Sequence, residues 1–220
     1  MNFLGMFAQG ALITIELTVC SAVLGFVIAL VAGTGMLSRF VVLRFLARTY
    51  TEVFRGASEV VILFIVIFAL PQLFEIQLPL FLGAVIALTL NIGGYYAEVV
   101  RGAVQAVPRG QTEAAIALNM STLLRLRRII VPQAVVSMLP PLNVLTVQLC
   151  KATALVSIVG LTDLAKVSQN IVELNGLWAR YVGEALIIYY LINTVINQLF
   201  RLVERRLKRG RDLGDAVGVL

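Results

Sequence analysis

The chain has 220 residues, of which 60% are hydrophobic and only 14% charged, with a mean hydropathy of +0.94. Soluble domains carry about a quarter charged residues, so a soluble fold is excluded and a membrane protein is expected. The net charge of +6 would suit nucleic acid in a soluble protein, but in a membrane protein the placement of Lys and Arg reports orientation instead.

Backbone groups in lipid have no water to bond, so the chain must be helical throughout or line cavities enclosed by helices. A span needs about 20 mostly apolar residues, and five such runs stand out, at roughly 11–37, 53–74, 79–101, 131–150 and 181–203. The start, "MNFLGMFAQG", has no basic region, so the first run is expected to be a retained span and not a cleaved signal. Within it Glu16 lies about 8 Å deep if the membrane begins near Ala11, where it can meet a cationic group or rest near outer headgroups.

Arg39, Arg44, Arg48 and Arg55 flank the first loop. Arg101, Arg109, Arg125, Arg127 and Arg128 belong to the third, and Arg201, Arg205, Arg206, Lys208, Arg209 and Arg211 mark a basic tail at about 201–220. The opposite side keeps only Lys151, Lys166 and Arg180, and "PQLFEIQLP" has no basic residue. The positive-inside rule therefore places the N-terminus outside and the C-terminus in the cytoplasm, which an odd number of spans satisfies. No repeat or low-complexity linker is visible, and one membrane domain over residues 1–220 is the simplest description.

In the third span Asn91, Tyr95, Glu98 and Gly102 follow at i, i+4, i+7 and i+11 on one helix face, bordered by Gly94. Such a stripe is expected to face protein or water, as a substrate pathway or as helix packing, and Glu98 can also pair with Arg101 at i+3. The loop at about 102–130 then carries "PRGQTEAAIALNMS", which is too polar and short to span a membrane. Pro108 suits a first helical turn, "QTEAAIAL" is rich in helix formers, and Glu113 lies near the positive dipole end. Asn119 suits a left-handed stop, and Ser121 can cap a second short helix with Leu123, Leu126 and Ile130 on one stripe. Physics alone leaves two readings: a hairpin lying on headgroups, or an element that docks into a partner's groove.

The fourth span carries Pro132, Pro140 and Pro141 and is expected to be bent and buried among its neighbours. Gln148 and Lys151 share a face near its outer end, where Lys151 can meet a substrate carboxylate or extend to water. Trp178, Tyr181, Tyr189 and Tyr190 read as interface belt and packing, and the tail as an anchor to anionic lipid.

"EAAIALNMSTLLRLRRIIVPQA" resembles the EAA loop of importer-type ABC transporter permeases, whose pattern is Glu-Ala-Ala, three residues, Gly and a later Pro. "GGYYAEVVRGAVQAVPRGQTEAA", "LPPLNVLTVQLCKATALVSIVGLTDL" and "EVFRGASEVVILF" are similar to the polar amino-acid branch, and the loop is most like permeases for ectoine and hydroxyectoine. The resemblance implies an all-α integral membrane protein with five transmembrane helices and short cytoplasmic coupling helices, the type I importer permease fold. It implies that Gly110, Glu113, Ala114, Ala115 and Asn119 belong to a coupling helix docking on an ATP-binding subunit. It further implies two copies of that ATPase carrying ATP and magnesium, a periplasmic or lipoprotein solute-binding protein, and a second permease subunit in the bacterial cytoplasmic membrane. Candidate pathway residues are then Asn91, Tyr95, Glu98, Lys151 and Glu16. Asn119 departs from the usual Gly, and Arg55 to Ser58 with Glu59 departs from Arg-Gly-Thr-Pro and an apolar residue, leaving the start of the second span open.

The chain has no phosphate loop ending in Gly-Lys-Ser or Gly-Lys-Thr and no His, and Cys20 and Cys150 lie in apolar runs. No catalysis, no cofactor, no metal site and no nucleic-acid partner are expected of it. The competing function is an ion- or proton-driven carrier using Glu16 and Glu98, although such carriers often show repeats.

Overall fold

The computed structural model describes residues 3–215, with side chains to residue 208, and every regular element among them is helical. Part of the expected basic tail, residues 216–220, therefore lies outside the described residues, as do the side chains of Arg209 and Arg211.

The architecture is built on α1 (Phe3–Met36) and α5 (Leu80–Gln105), which run side by side in the same direction. Lipid offers no hydrophobic drive for helices to associate, so small residues that allow close approach decide the pairing. A Cβ on Gly25 would stand 2.6 Å from Ile92 Cγ2, and one on Gly33 would stand 2.8 Å from the Ala97 carbonyl. Ser21 adds a hydrogen bond to the Val85 carbonyl at 3.4 Å. A Gly33→Leu variant should therefore lose about 1–3 kcal/mol through overpacking, read as a lower melting temperature in detergent.

Helix α2 (Val41–Gly56) crosses α5, where Tyr50 donates to the Leu90 carbonyl at 2.9 Å. The chain then breaks: Ala57 and Ser58 are extended, and the next helical segment leaves at 105° to α2. The span expected at 53–74 is thus corrected. The expected run is divided: its first residues end α2, and the helix resumes at Glu59 as α3 (Glu59–Phe64), a π turn at Ile65–Ala69 and α4 (Leu70–Phe74). Pro71 accounts for the turn, because its ring clashes with the carbonyl four residues back and removes a donor.

After α5, α6 (Arg109–Ala117) projects as a separate short helix. The second short helix expected after Ser121 is not separate. Ser121 does cap α7 (Thr122–Arg125), accepting from the Leu124 amide at 3.4 Å, but α7 continues through a π turn at Leu126–Ile130 into α8 (Val131–Ala152). Pro132 lies four residues beyond Arg128 in that turn and explains it as Pro71 does the other. Pro140 and Pro141 do not break α8, and thirty-six residues, Thr122–Ser157, form one helix. A 3-10 segment (Thr153–Ser157) leads to α9 (Leu164–Asn175), followed by α10 (Trp178–Asp215).

Among the described residues, four helices are long and apolar enough to cross a membrane, and the bent pair of α2 with Glu59–Phe74, taken as one span, makes a fifth. A second small core of Phe7, Leu164, Ile171, Tyr181 and Ala185 ties α1, α9 and α10 together at one end.

Candidate functional site

Three polar constellations interrupt this apolar body. The first lies where α2 ends against α5. The last carbonyls of a helix have no partner within it, and here α5 supplies them. Asn91, buried, donates to the Phe54 carbonyl at 2.9 Å, and Tyr95 donates to the Arg55 carbonyl at 3.2 Å. The Arg55 guanidinium lies 5.4 Å from the Tyr95 ring centroid and 3.8 Å from Glu98. Glu98 accepts two bonds from Arg101, at 2.9 and 2.6 Å, and Arg101 reaches Gln105 at 2.7 Å. Asn91, Tyr95 and Glu98 therefore share one face, as their spacing predicts, and that face is turned to the break between α2 and α3. The pairing of Glu98 with Arg101 forms, and Arg55 joins it.

The second constellation is a seam between α8 and α10 that the sequence reading missed. Asn143 Nδ2 donates to Asn197 Oδ1 at 2.9 Å. Asn143 Oδ1 and Asn193 Oδ1 are both buried without a hydrogen-bond partner. An unsatisfied buried acceptor costs about 1–3 kcal/mol, so two of them in one seam are an exception that asks for an explanation. Further along α10, Tyr189 donates to Asp163 Oδ2 at 3.1 Å, and the fully buried Asp163 caps α9 by accepting from the Lys166 amide at 2.9 Å. Burial pushes the Asp163 carboxyl above the usual range, opposed by the hydrogen bonds it accepts. Thr14 of α1 accepts from the Leu164 amide at 3.3 Å, binding the same corner to the first span.

Tyr189, Asn193 and Asn197 follow at i, i+4 and i+8, so α10 carries one polar stripe about 12 Å long. That regular spacing in "YYLINTVINQ" was the available signal. Trp178 and Tyr190 are 64% and 68% exposed, as belt residues should be, whereas Tyr181 is buried and Tyr189 bonds inward. Glu16 and Lys151 are exposed, and the structure brings neither into the seam nor to the α2–α5 junction.

The third constellation is α6. Gly110, Glu113, Ala114 and Ala117 lie at i, i+3, i+4 and i+7, and all four are exposed. Ala115 is turned inward and only 1% exposed, so of the expected coupling residues it alone faces its own chain. Asn119 has φ 56°, the left-handed conformation its position predicts. The Met120 amide reaches the Ala115 carbonyl at 3.0 Å, closing α6 in a Schellman arrangement that fixes it to the head of α7.

Known proteins share this sequence pattern and fold. Residues 21–209 match the family described as the inner membrane component of binding-protein-dependent transport systems. A probable amino-acid ABC transporter permease of Sinorhizobium fredii is 36% identical over 215 residues, 96% of this chain and 90% of that one. The arginine transport system permease of Bacillus subtilis is 33% identical over 203 residues, 91% of each chain. The crystal structure of an amino acid ABC transporter with histidines superposes with a TM-score of 0.84 and 30% identity, covering 94% of this chain and 99% of that one. The chain thus belongs to the family of binding-protein-dependent transport system inner membrane components.

Proposed function

We propose that this protein is the permease subunit of an ATP-driven, binding-protein-dependent importer of a polar or zwitterionic amino acid or derivative. The observation that carries the reading is α6: a short helix apart from the spans, with a small-residue outer face and a rigid turn into the helix that becomes α8. A push on α6 from an ATP-binding subunit passes to α8 without a flexible joint, and α8 forms one wall of the asparagine seam. The chain's own residues bind and orient, and the chemistry of ATP hydrolysis belongs to a pair of separate ATPase subunits.

On this reading the N-terminus is outside and α6 cytoplasmic, in the bacterial cytoplasmic membrane, with a solute-binding protein and a second permease completing the transporter. The unpaired asparagine oxygens suit an ammonium or amide donor of a passing solute. The arginine and L-cystine permeases among the relatives support amino acids as the class, and ectoine, a cyclic zwitterion, offers comparable groups. Asn91, Tyr95 and Glu98 then act as the support of the α2–α3 break beside the pathway, with Glu16 and Lys151 toward its outer side.

The test is reconstitution of the permease with its ATPase and solute-binding protein, scoring which solute stimulates ATP hydrolysis and is taken up. Stimulation by one amino acid or by ectoine is expected. Uptake that collapses with a protonophore while ATP is held constant would overturn the ATP-driven reading.

A further inference from the structure

Of the three residues that form the polar stripe of α10, the outer two are tied to other elements and the middle one is not. Tyr189 donates to Asp163 Oδ2 at 3.1 Å, and Asn197 accepts from Asn143 of α8 at 2.9 Å. Asn193, about 6 Å along the axis from each, is buried with its Oδ1 unpaired. A buried acceptor without a partner favours any small movement that brings it to a donor or to water. Polar atoms on a helix stand about 6 Å from its axis, so a rotation of about 10° shifts them by about 1 Å, enough to make or break a hydrogen bond.

Asp163 is placed to resist that rotation. It is fully buried and pairs with no cation among the described residues. Its Oδ1 is taken by the Lys166 amide at 2.9 Å at the start of α9, and the adjacent Leu164 gives its amide to Thr14 of α1 at 3.3 Å. There α1 comes so close that a Cβ on Gly10 would stand 3.1 Å from the Asp163 carbonyl oxygen. The side chain is thus held between α1 and α9. A helix cap needs one acceptor atom, which Ser, Thr or Asn supplies without burying a carboxyl group. What Asp163 adds to the cap is its second oxygen, and that oxygen is given to Tyr189.

We propose that Asp163 and Tyr189 are positioning residues: their bond fixes the rotation of α10 and so keeps the Asn193 oxygen unpaired in the seam, a role for transport that rests on the seam being the solute's path.

The test uses the full chain reconstituted with its ATPase and solute-binding protein. In a Cys20→Ser, Cys150→Ala background, Asn143→Cys is paired with Asn197→Cys or with Ile196→Cys, about 100° away around α10, and each pair is bridged with a short bis-methanethiosulfonate. These cysteines remove the bond between Asn143 and Asn197, so the tie at Tyr189 governs which position reacts. Position 197 is expected to be preferred, and Tyr189→Phe, which keeps the ring, should reduce that preference about five-fold, the weight of one net hydrogen bond. Asp163→Asn should retain it, since Oδ1 still caps α9 and Nδ2 can donate to the Tyr189 oxygen. With the asparagines in place, uptake is scored with labelled L-arginine, L-cystine or ectoine, whichever stimulates ATP hydrolysis. Tyr189→Phe should lower that uptake about five-fold and add nothing to the loss caused by Asn193→Leu, because a tie that acts only through Asn193 is not additive with its removal. An unchanged cross-linking preference in Tyr189→Phe overturns the tie, and a further loss in the Asn193→Leu background overturns it in favour of a general structural role. A lost preference with normal uptake upholds the tie and removes the seam from the solute's path. Loss of uptake in Asp163→Asn with the preference intact overturns the positioning role, because the carboxylate would then act by its charge.

Discussion

Replacing Gly110 with Trp is expected to lower uptake at least about a hundred-fold while leaving the permease folded in the membrane. A Cβ at Gly110 meets nothing within 4 Å, so the chain itself has room for the larger side chain. The residue lies on the exposed face of α6 with Glu113, Ala114 and Ala117, and a helix that enters a cleft needs that face narrow. An indole there holds the helix out of the cleft, and a lost docking contact at the centre of an interface costs about 2 kcal/mol or more, roughly thirty-fold in occupancy before any loss in coupling. Glu113→Lys acts on the same face by reversing a charge and should uncouple ATP hydrolysis from uptake. Membrane yield and melting temperature should match wild type in both variants. Full uptake by Gly110→Trp would remove α6 from the coupling path, and a collapse in yield would show that the residue serves the fold.

Asn193→Leu should separate stability from transport in the opposite sense. The Oδ1 of Asn193 is buried without a partner, which costs about 1–3 kcal/mol, and Leu has a similar volume with no polar atom to satisfy. The variant is therefore expected to melt at a higher temperature than wild type. If the oxygen is kept unpaired in order to receive a donor from the passing solute, uptake should fall about ten-fold or more, since 1.4 kcal/mol of lost stabilisation is a factor of ten. Greater stability with poorer function is the usual sign of a strained site. Asn143→Leu provides the contrast, because it also breaks the 2.9 Å bond to Asn197 and should lose stability and uptake together. Normal uptake by Asn193→Leu would show that the seam is not on the solute's path.

The residues differ in how openly they declared these roles. Asn119 could be assigned a left-handed stop from its chemistry and its place after "EAAIAL", and its φ of 56° agrees. Ser121 could be assigned a cap, and it accepts from the Leu124 amide. The face shared by Asn91, Tyr95 and Glu98 followed from spacing, because helix geometry converts i, i+4 and i+7 into neighbours whatever lies opposite. What lay opposite did not follow. The acceptors of Asn91 and Tyr95 are the carbonyls of Phe54 and Arg55, and these are free only because α2 ends there. The break itself was visible only as an unusual "RGAS", since a hydropathy window averages over a two-residue kink and reads 53–74 as one run.

At Pro140 and Pro141 the helix α8 continues without a break, whereas the single Pro71 and Pro132 each accompany a π turn. Ala115 is a similar lesson on a smaller scale. The motif groups it with Glu113 and Ala114, but 100° of helical rotation per residue carries it from the outer face to the inner one.

By itself the sequence determined that this is a helical membrane protein, roughly where its spans lie, and that a helix apart from them starts at Pro108 and is stopped at Asn119. Those properties depend on composition, periodicity and neighbours within a few positions, which a single chain displays in order. Only the tertiary structure decided that the helix breaks at Ala57 and Ser58 and turns by 105°, that Asp163 is buried under Tyr189, and that Asn143, Asn193 and Asn197 form one seam with two oxygens unpaired. Asn143 and Asn197 are 54 residues apart in the chain. Whether a polar side chain is satisfied depends on what packing brings within 3 Å of it, and that is not written in its immediate neighbours.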